Sequence, residues 1–238
     1  MLHNYTIFNQ QLIDINQPKV LINTLNAHSY NTLQNDNIFS NALLSSHVLL
    51  PDGISVVWAM RLLTGKKIHK IAGQDLFNFE MKRVNDIGGS CFFLGSSEET
   101  LQKIVKRAAT EYPNVKVHTF SPPFKKKFCK IDSSKMIEAV NSVKPDVLFI
   151  GMTAPKQEKW ANQNFEKLEA GHICSIGAVF DFYAGTVKRA PEWMIRLGME
   201  WFYRLAKEPR RMWRRYLIGN VKFISLIFAE KITHYYYF

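Results

Sequence analysis

Short apolar runs recur between Val20 and Gly185, and each leads into a polar turn. They are Val20–Thr24, Ser90–Leu94, Val115–Phe120, Pro145–Ile150 and His172–Ile176. The runs are too short for helices and rich in β-branched and aromatic residues, so they predict strands. Near-continuous apolar character, rather than alternation, predicts strands covered on both faces, as in a parallel sheet flanked by helices. The stretch after Ser90–Leu94 shows the unit clearly. Gly95 turns the chain, Ser97 can cap a helix, and Glu98 and Glu99 would complement its dipole. The expected fold class is α/β, in which ligands sit beyond the carboxyl ends of the strands. No repeat of fixed period and no low-complexity segment interrupts the pattern.

The pattern changes at Pro191. Trp193, Ile195, Leu197, Met199, Trp201, Phe202 and Leu205 are interleaved with arginines, and Pro209 is expected to divide the run into two helices. Tyr216–Ala229, the most apolar part, contains Asn220 and Lys222 and is shorter than the ~20 residues of a membrane span. Charge follows the same division. Lys188–Lys231 holds eleven basic and four acidic residues, which is seven of the formal net charge of +11. A division into residues 1–190 and a basic amphipathic appendage, 191–238, is expected. Aromatic and aliphatic residues beside arginines suit a helix lying in an anionic membrane interface. A basic helix docked on the domain fits the same letters. A nucleic-acid surface would need an accompanying module, and none is recognisable, so no nucleic-acid partner is expected.

At 238 residues and 47% hydrophobic, the chain suffices for one sizeable domain with an appendage. The polar start, MLHNYTIFNQQLIDIN, predicts no export signal. Cys91, Cys129 and Cys174 lack CxxC spacing and are expected to be reduced thiols in a cytoplasmic protein. No GxxxxGK[ST], GxGxxG, HExxH or GxSxG motif is present, nor an Asp-x-Asp pair to hold a metal on a nucleotide-sugar diphosphate. No metal or cofactor is expected.

Polar residues gather where the predicted strands end. Thr24, Asn26, His28 and Ser29 follow the first, and Pro51-Asp52-Gly53 precedes a helical stretch beginning Ile54-Ser55-Val56. Further groups are Lys70 to Asp75, Ser121 to Phe124, Gly151 to Trp160, and Gly177 to Asp181. Each has an ordinary explanation: Thr24 in a ladder, Asp52 and Thr153 as caps, Asp181 as a partner for Lys188 or Arg189. In a parallel sheet, however, these ends share one rim, where Thr24, Asn26, Asp52, Gln157 and Asp181 would converge.

Seven segments, in order and spanning nearly the whole chain, resemble the WecG/TagA/CpsF family of bacterial glycosyltransferases. They are TLNAHSYN (24–31), LPDGISVVWAMRLLTG (50–65), KIAGQDLF (70–77), FFLGSSEET (92–100), PDVLFIGMTAPKQEKW (145–160), GAVFDFYAGTVKRAP (177–191) and EWFYRLAKEPRRMWRRYLIGN (200–220). The resemblance implies a Rossmann-like α/β domain with a membrane-docking C-terminal appendage. The implied reaction transfers a sugar, with inversion, from a UDP-sugar to an undecaprenyl-diphosphate-linked sugar in cell-surface polysaccharide synthesis. N-acetylmannosamine, its uronic acid and glucose are the donor sugars it allows. It also implies work at the inner face of the cell membrane, and homo-oligomers. A non-catalytic nucleotide-sugar or membrane-binding module on the same fold is the alternative.

By the same resemblance, Asp52 is the general base and Thr24 stands beside it at the reacting centre. Asn26 and Gln157 touch the donor, and Gly177, Ala178 and Asp181 lie near the uridine. Lys70 stands where the family often has arginine, and lysine meets a phosphate as a point charge without a bidentate grip. An inverting transfer needs a carboxylate to take the acceptor's proton and cations or N–H groups to offset the leaving diphosphate. Arg204, Arg210, Arg211, Arg214 and Arg215 are candidates for the diphosphate or for lipid headgroups.

Overall fold

The computed structural model describes residues 1–237, with the side chains of 234–237 left aside. Its centre is a six-stranded sheet in which every pairing is parallel. The strands are β1 (Val20–Leu25), β2 (Val48–Pro51), β3 (Ser90–Gly95), β4 (Lys116–Phe120), β5 (Val147–Gly151) and β6 (His172–Ser175), in the order β2-β1-β6-β5-β3-β4. Five coincide with the runs read from the sequence to within two residues at each end. The sixth, β2, escapes that reading because its run ends in a proline followed by a turn-forming Asp-Gly pair. Proline fits there as the last residue of an edge strand.

Alternation along the buried strands feeds two apolar layers. Val20, Ile22, Phe93, Phe149 and Cys174 point to one face, where α4 (Gly73–Ile87), α5 (Glu98–Glu111) and α8 (Val179–Tyr183) cover them. Leu21, Phe92, Leu148 and Ile173 point to the other, beneath α6 (Lys130–Asn141) and α7 (Lys156–Asn164). On that second face, Leu25 and Leu49 extend the core under α1 (Ala27–Leu33), α2 (Asn37–Leu44) and α3 (Ile54–Thr64). The α/β class and the helices on both faces hold.

The C-terminal segment is more broken than the sequence predicts. It forms α9 (Glu192–Arg196), α10 (Glu200–Lys207), α11 (Pro209–Trp213), a π-helical turn at Arg214–Ile218, and α12 (Gly219–Tyr237). Pro209 opens α11 at the first helical position, where its missing N–H costs nothing, but it is only one of the interruptions. Another is at Gly198, whose φ of 72° ends α9. Among the described residues no helix is long and apolar enough to cross a membrane. The 19 residues of α12 instead bury Phe223 and Ile227 in the core layer that holds Leu2, Tyr30 and Phe39. Phe223 meets Tyr30 edge-on at 5.5 Å between ring centroids.

Candidate active site

The carboxyl ends of all six strands open into one cleft of about 1340 Å³. Common ligand pockets run to roughly 300–1,000 Å³, so this one has room for more than one substrate. Its floor is strand-end backbone and its far wall is the C-terminal segment. Thr24, Asn26, Asp52, Gln157, Gly177 and Asp181 all line it, as do Arg204, Arg211, Arg214 and Arg215. The predicted convergence on one rim is therefore present. Two expected residues are not in that lining. Lys70 is half-buried and reaches the site through its charge on Asp52, while Arg210 is exposed to solvent.

The corner at Asp52 follows from parallel register. Thr24 pairs with Leu50 and Leu25 with Pro51, and the Asp52 N–H extends the ladder to the Leu25 carbonyl at 2.9 Å. Asn26 and Asp52 thus leave adjacent strands side by side. Asn26 caps α1, its Oδ1 accepting from the Ser29 N–H at 3.0 Å, and its side chain also hydrogen-bonds to Asp52. Asp52 itself is not a cap. The residue before α3 is Gly53, and no side chain caps that helix. Gly53 has a φ of 139°, which L side chains rarely adopt, and that demands glycine there. Crowding does not, because a Cβ would meet nothing closer than Ser55 Oγ at 3.6 Å.

Burial pushes the Asp52 carboxyl above the usual carboxylate range, and the Glu200 charge adds to the rise. Lys70, the Asn26 hydrogen bond and Arg215 pull the other way. The neighbouring His28 is driven down to about 4 by burial and then by Arg215, so its imidazole is neutral at pH 7. Glu200 projects from α10 and pairs with Arg189 at 3.5 Å. His28 was legible only as part of the polar cluster after β1. Arg189 was read only as a partner for Asp181, and its pairing with Glu200 was not legible, because it depends on how the C-terminal segment folds back.

On the opposite side, Gln157 is buried and both ends of its amide are engaged within the protein. Oε1 accepts from the Met152 N–H at 3.2 Å, and Nε2 donates to Glu158 Oε1 at 2.9 Å. Burial raises Glu158 to about 7 against that hydrogen bond. The amide of Gln157 lies against Gly177, which has a φ of 53°. Thr153 caps nothing, since α7 is preceded by Pro155 and has no side-chain cap. Asp181, in the first turn of α8, is raised by burial and drawn down by Arg211 and Arg204, then by Thr186. Its cationic neighbours are thus arginines of the C-terminal segment rather than Lys188 or Arg189.

The same arginines supply the cleft's positive wall. Arg204 stacks over the Phe182 ring at 5.6 Å, and the Nε atoms of Arg189, Arg204 and Arg215 are buried with no hydrogen-bond acceptor from the protein. Buried donors without partners are costly, and an anionic ligand would satisfy them. Among the described residues no group of three or more His, Cys, Asp or Glu is placed to hold a metal ion.

A carboxylate, a positive wall and a strand-end cleft are the parts a sugar transferase needs, and the sequence profile of the Glycosyl transferase WecG/TagA/CpsF family matches residues 5–236. The chain belongs to that family. WecG/TagA/CpsF relatives include a Bacillus subtilis (strain 168) protein, 31% identical over 211 residues, covering 89% of this chain and 80% of the relative. A Bacillus spizizenii protein is 27% identical over 219 residues (92% of this chain, 82% of its own), and one from Staphylococcus aureus (strain MW2) is 27% identical over 215 (90% and 80%). All three are named N-acetylglucosaminyldiphosphoundecaprenol N-acetyl-beta-D-mannosaminyltransferase. The WecG/TagA/CpsF match takes in both the sheet and the C-terminal helices.

Proposed function

We propose that this protein transfers N-acetylmannosamine from its UDP derivative to an N-acetylglucosaminyl-diphospho-undecaprenol acceptor, with inversion and without a metal. The observation that carries the reading is the pairing, across one cleft, of Asp52 with Arg204, Arg211, Arg214 and Arg215. The names of the relatives support the choice of sugar and acceptor.

Asp52 takes the proton of the acceptor hydroxyl as its oxygen attacks the anomeric carbon. The new C–O bond forms on the face opposite the departing UDP, whose bond to that carbon breaks. Asn26 holds the carboxylate, and Thr24 borders it on β1. Charge growing on the diphosphate is met by the cleft arginines, of which Arg204 and Arg215 hold buried Nε donors without a protein partner. Gly177 and Asp181 flank the nucleotide, and Gln157 acts from behind by fixing the Met152 backbone N–H.

The acceptor is lipid-linked, and the C-terminal segment suits an anionic membrane. Trp193, Leu197, Leu217, Val221 and Phe228 are exposed beside Arg210 and Arg214. We place the enzyme on the inner face of the cell membrane, peripheral to it.

Turnover of UDP-N-acetylmannosamine with a soluble N-acetylglucosaminyl-diphospho-lipid analogue tests the reading. Asp52→Asn is expected to lower kcat by about 10²–10⁴-fold with donor binding kept. Unchanged turnover would remove Asp52 as the base, and absence of turnover by the wild type across UDP-sugars would remove the activity.

A further inference from the structure

Helix α3, which begins two residues after Asp52, is apolar on two faces. Val56, Ala59, Met60 and Leu63 are buried, as the spacing of a core-facing helix requires. Ile54, Trp58 and Leu62 follow one another at i, i+4 and i+8 on the outside, and they are 43%, 73% and 41% exposed. Single exposed apolar residues need no explanation, but a stripe holding a nearly bare tryptophan does.

The stripe does not stand alone. Gly198 sits against its first residue, because a Cβ on Gly198 would come within 3.1 Å of Ile54 Cγ2. The residue before Gly198 is Leu197, itself 67% exposed, and Trp193 stands one turn earlier on α9 at 60%. On the other side α3 packs against α12, whose outward residues Val221, Ile224 and Phe228 are 65%, 52% and 56% exposed. Helix α3 thus touches two parts of the C-terminal segment that expose apolar residues of their own. Basic residues border it. Arg61 is exposed on α3, and Lys66 and Lys67 follow the helix end.

We propose that the outer face of α3 is a bilayer-contacting surface, so that the α/β unit itself, and not the C-terminal segment alone, docks on anionic lipid. Charge and shape favour this occupant. A tryptophan flanked by aliphatic residues and rimmed by Arg and Lys is the composition of a helix in the headgroup region. Along α3 and its C-terminal end the exposed charges are Arg61, Lys66 and Lys67, all basic, which complements an anionic surface. The proposal extends the lipid-linked acceptor reading above and gives it a geometry. Because Asp52 lies at the start of the same helix, docking through α3 brings the cleft mouth to the lipid surface where such an acceptor resides.

The test uses the full chain and vesicles of phosphatidylglycerol and phosphatidylcholine, with no substrate present. Trp58→Ser/Leu62→Ser is expected to weaken vesicle binding by about tenfold or more, since each side chain would lose an apolar burial site. Trp58→Phe is expected to lose a measurable part of the tryptophan quenching by brominated lipid that the wild type shows. Turnover of a water-soluble acceptor by Trp58→Ser/Leu62→Ser is expected to match the wild type, which also shows that the variant is folded. Unchanged vesicle affinity together with unchanged quenching overturns the proposal. So does a change from dimer to monomer with vesicle affinity kept, which would make the face a contact between copies. A failure of turnover with every UDP-sugar would count against the enzymatic reading while leaving the vesicle result standing.

Discussion

Asp52 sits among charges of both signs, and its protonation is set by which of them dominates. Burial and Glu200 raise its pKa, while Lys70, Asn26 and Arg215 lower it. The proposed base works only when ionised, so activity falls as pH falls through that raised value. The acid limb of kcat/KM is expected above the ordinary carboxylate value of about 3.9. Glu200→Gln removes a negative neighbour and should move the limb to lower pH, whereas Arg215→Met removes a positive one and should move it higher. A limb that stays in place in both variants would mean that another group controls it. At this scale Asn26 was legible because it follows the first predicted strand, whereas Asp52 was marked by the Pro51-Asp52-Gly53 turn before a helical stretch and by the family resemblance. The unpaired Nε atoms and the Arg189–Glu200 pair were not legible, because they depend on where distant helices fold back.

Among the elements, α12 is held by a buried carboxylate as well as by its apolar face. Glu230 accepts from the Leu2 N–H at 2.7 Å, the His3 N–H at 3.0 Å and the Tyr30 hydroxyl at 2.8 Å, and His3 Nδ1 is also 2.7 Å away. Immediately after the π-helical stretch, Asn31 Nδ2 donates to the Gly219 carbonyl at 2.7 Å, where α12 begins. Glu230→Ala would strand several buried donors at once, and a loss of about 2–4 kcal/mol is expected in chemical denaturation. Burial acts to raise the Glu230 pKa, but the hydrogen bonds from His3, Leu2 and Tyr30 outweigh it, and the net shift is downward. Stability from this contact is then complete above the ordinary value of 4.5 and is lost as pH falls below it, through the lowered folded value. A Glu230→Ala variant should show a flatter acid limb of stability than the wild type. None of this was visible in the letters, where Glu230 reads as one acid in a basic segment. Strands β1, β3, β5 and β6 were visible because burial on both faces leaves apolar runs, a signal that at β2 is cut short by Pro51 and the Asp52-Gly53 turn.

For the molecule as a whole, basic charge divides between two surfaces, and only part of it lies in the C-terminal segment. Arg204, Arg211, Arg214 and Arg215 line the cleft, while Arg210 and the lysines after α3 face outward. On the proposed docking the outward set meets lipid, so vesicle binding should depend on salt more steeply than donor binding does. Raising ionic strength from 0.1 M to 1 M shortens the screening length from about 10 Å to 3 Å. Sedimentation with phosphatidylglycerol vesicles is expected to fall strongly over that range, leaving a residue due to apolar insertion. Salt-independent sedimentation would contradict the assignment.

Glu230 reaches Leu2 across 228 positions of sequence. During synthesis at about 5–20 residues per second, Leu2 and Tyr30 wait roughly 10–45 s for that partner. Over that interval the sheet can assemble from its own strands, but the layer around Tyr30 and Phe39 lies uncovered, and the cleft has no arginine wall. Closure of that layer and completion of the cleft are therefore late events, and a chain stalled before Glu200 would carry a sheet, an open core and Asp52 with Lys70 but without Arg215.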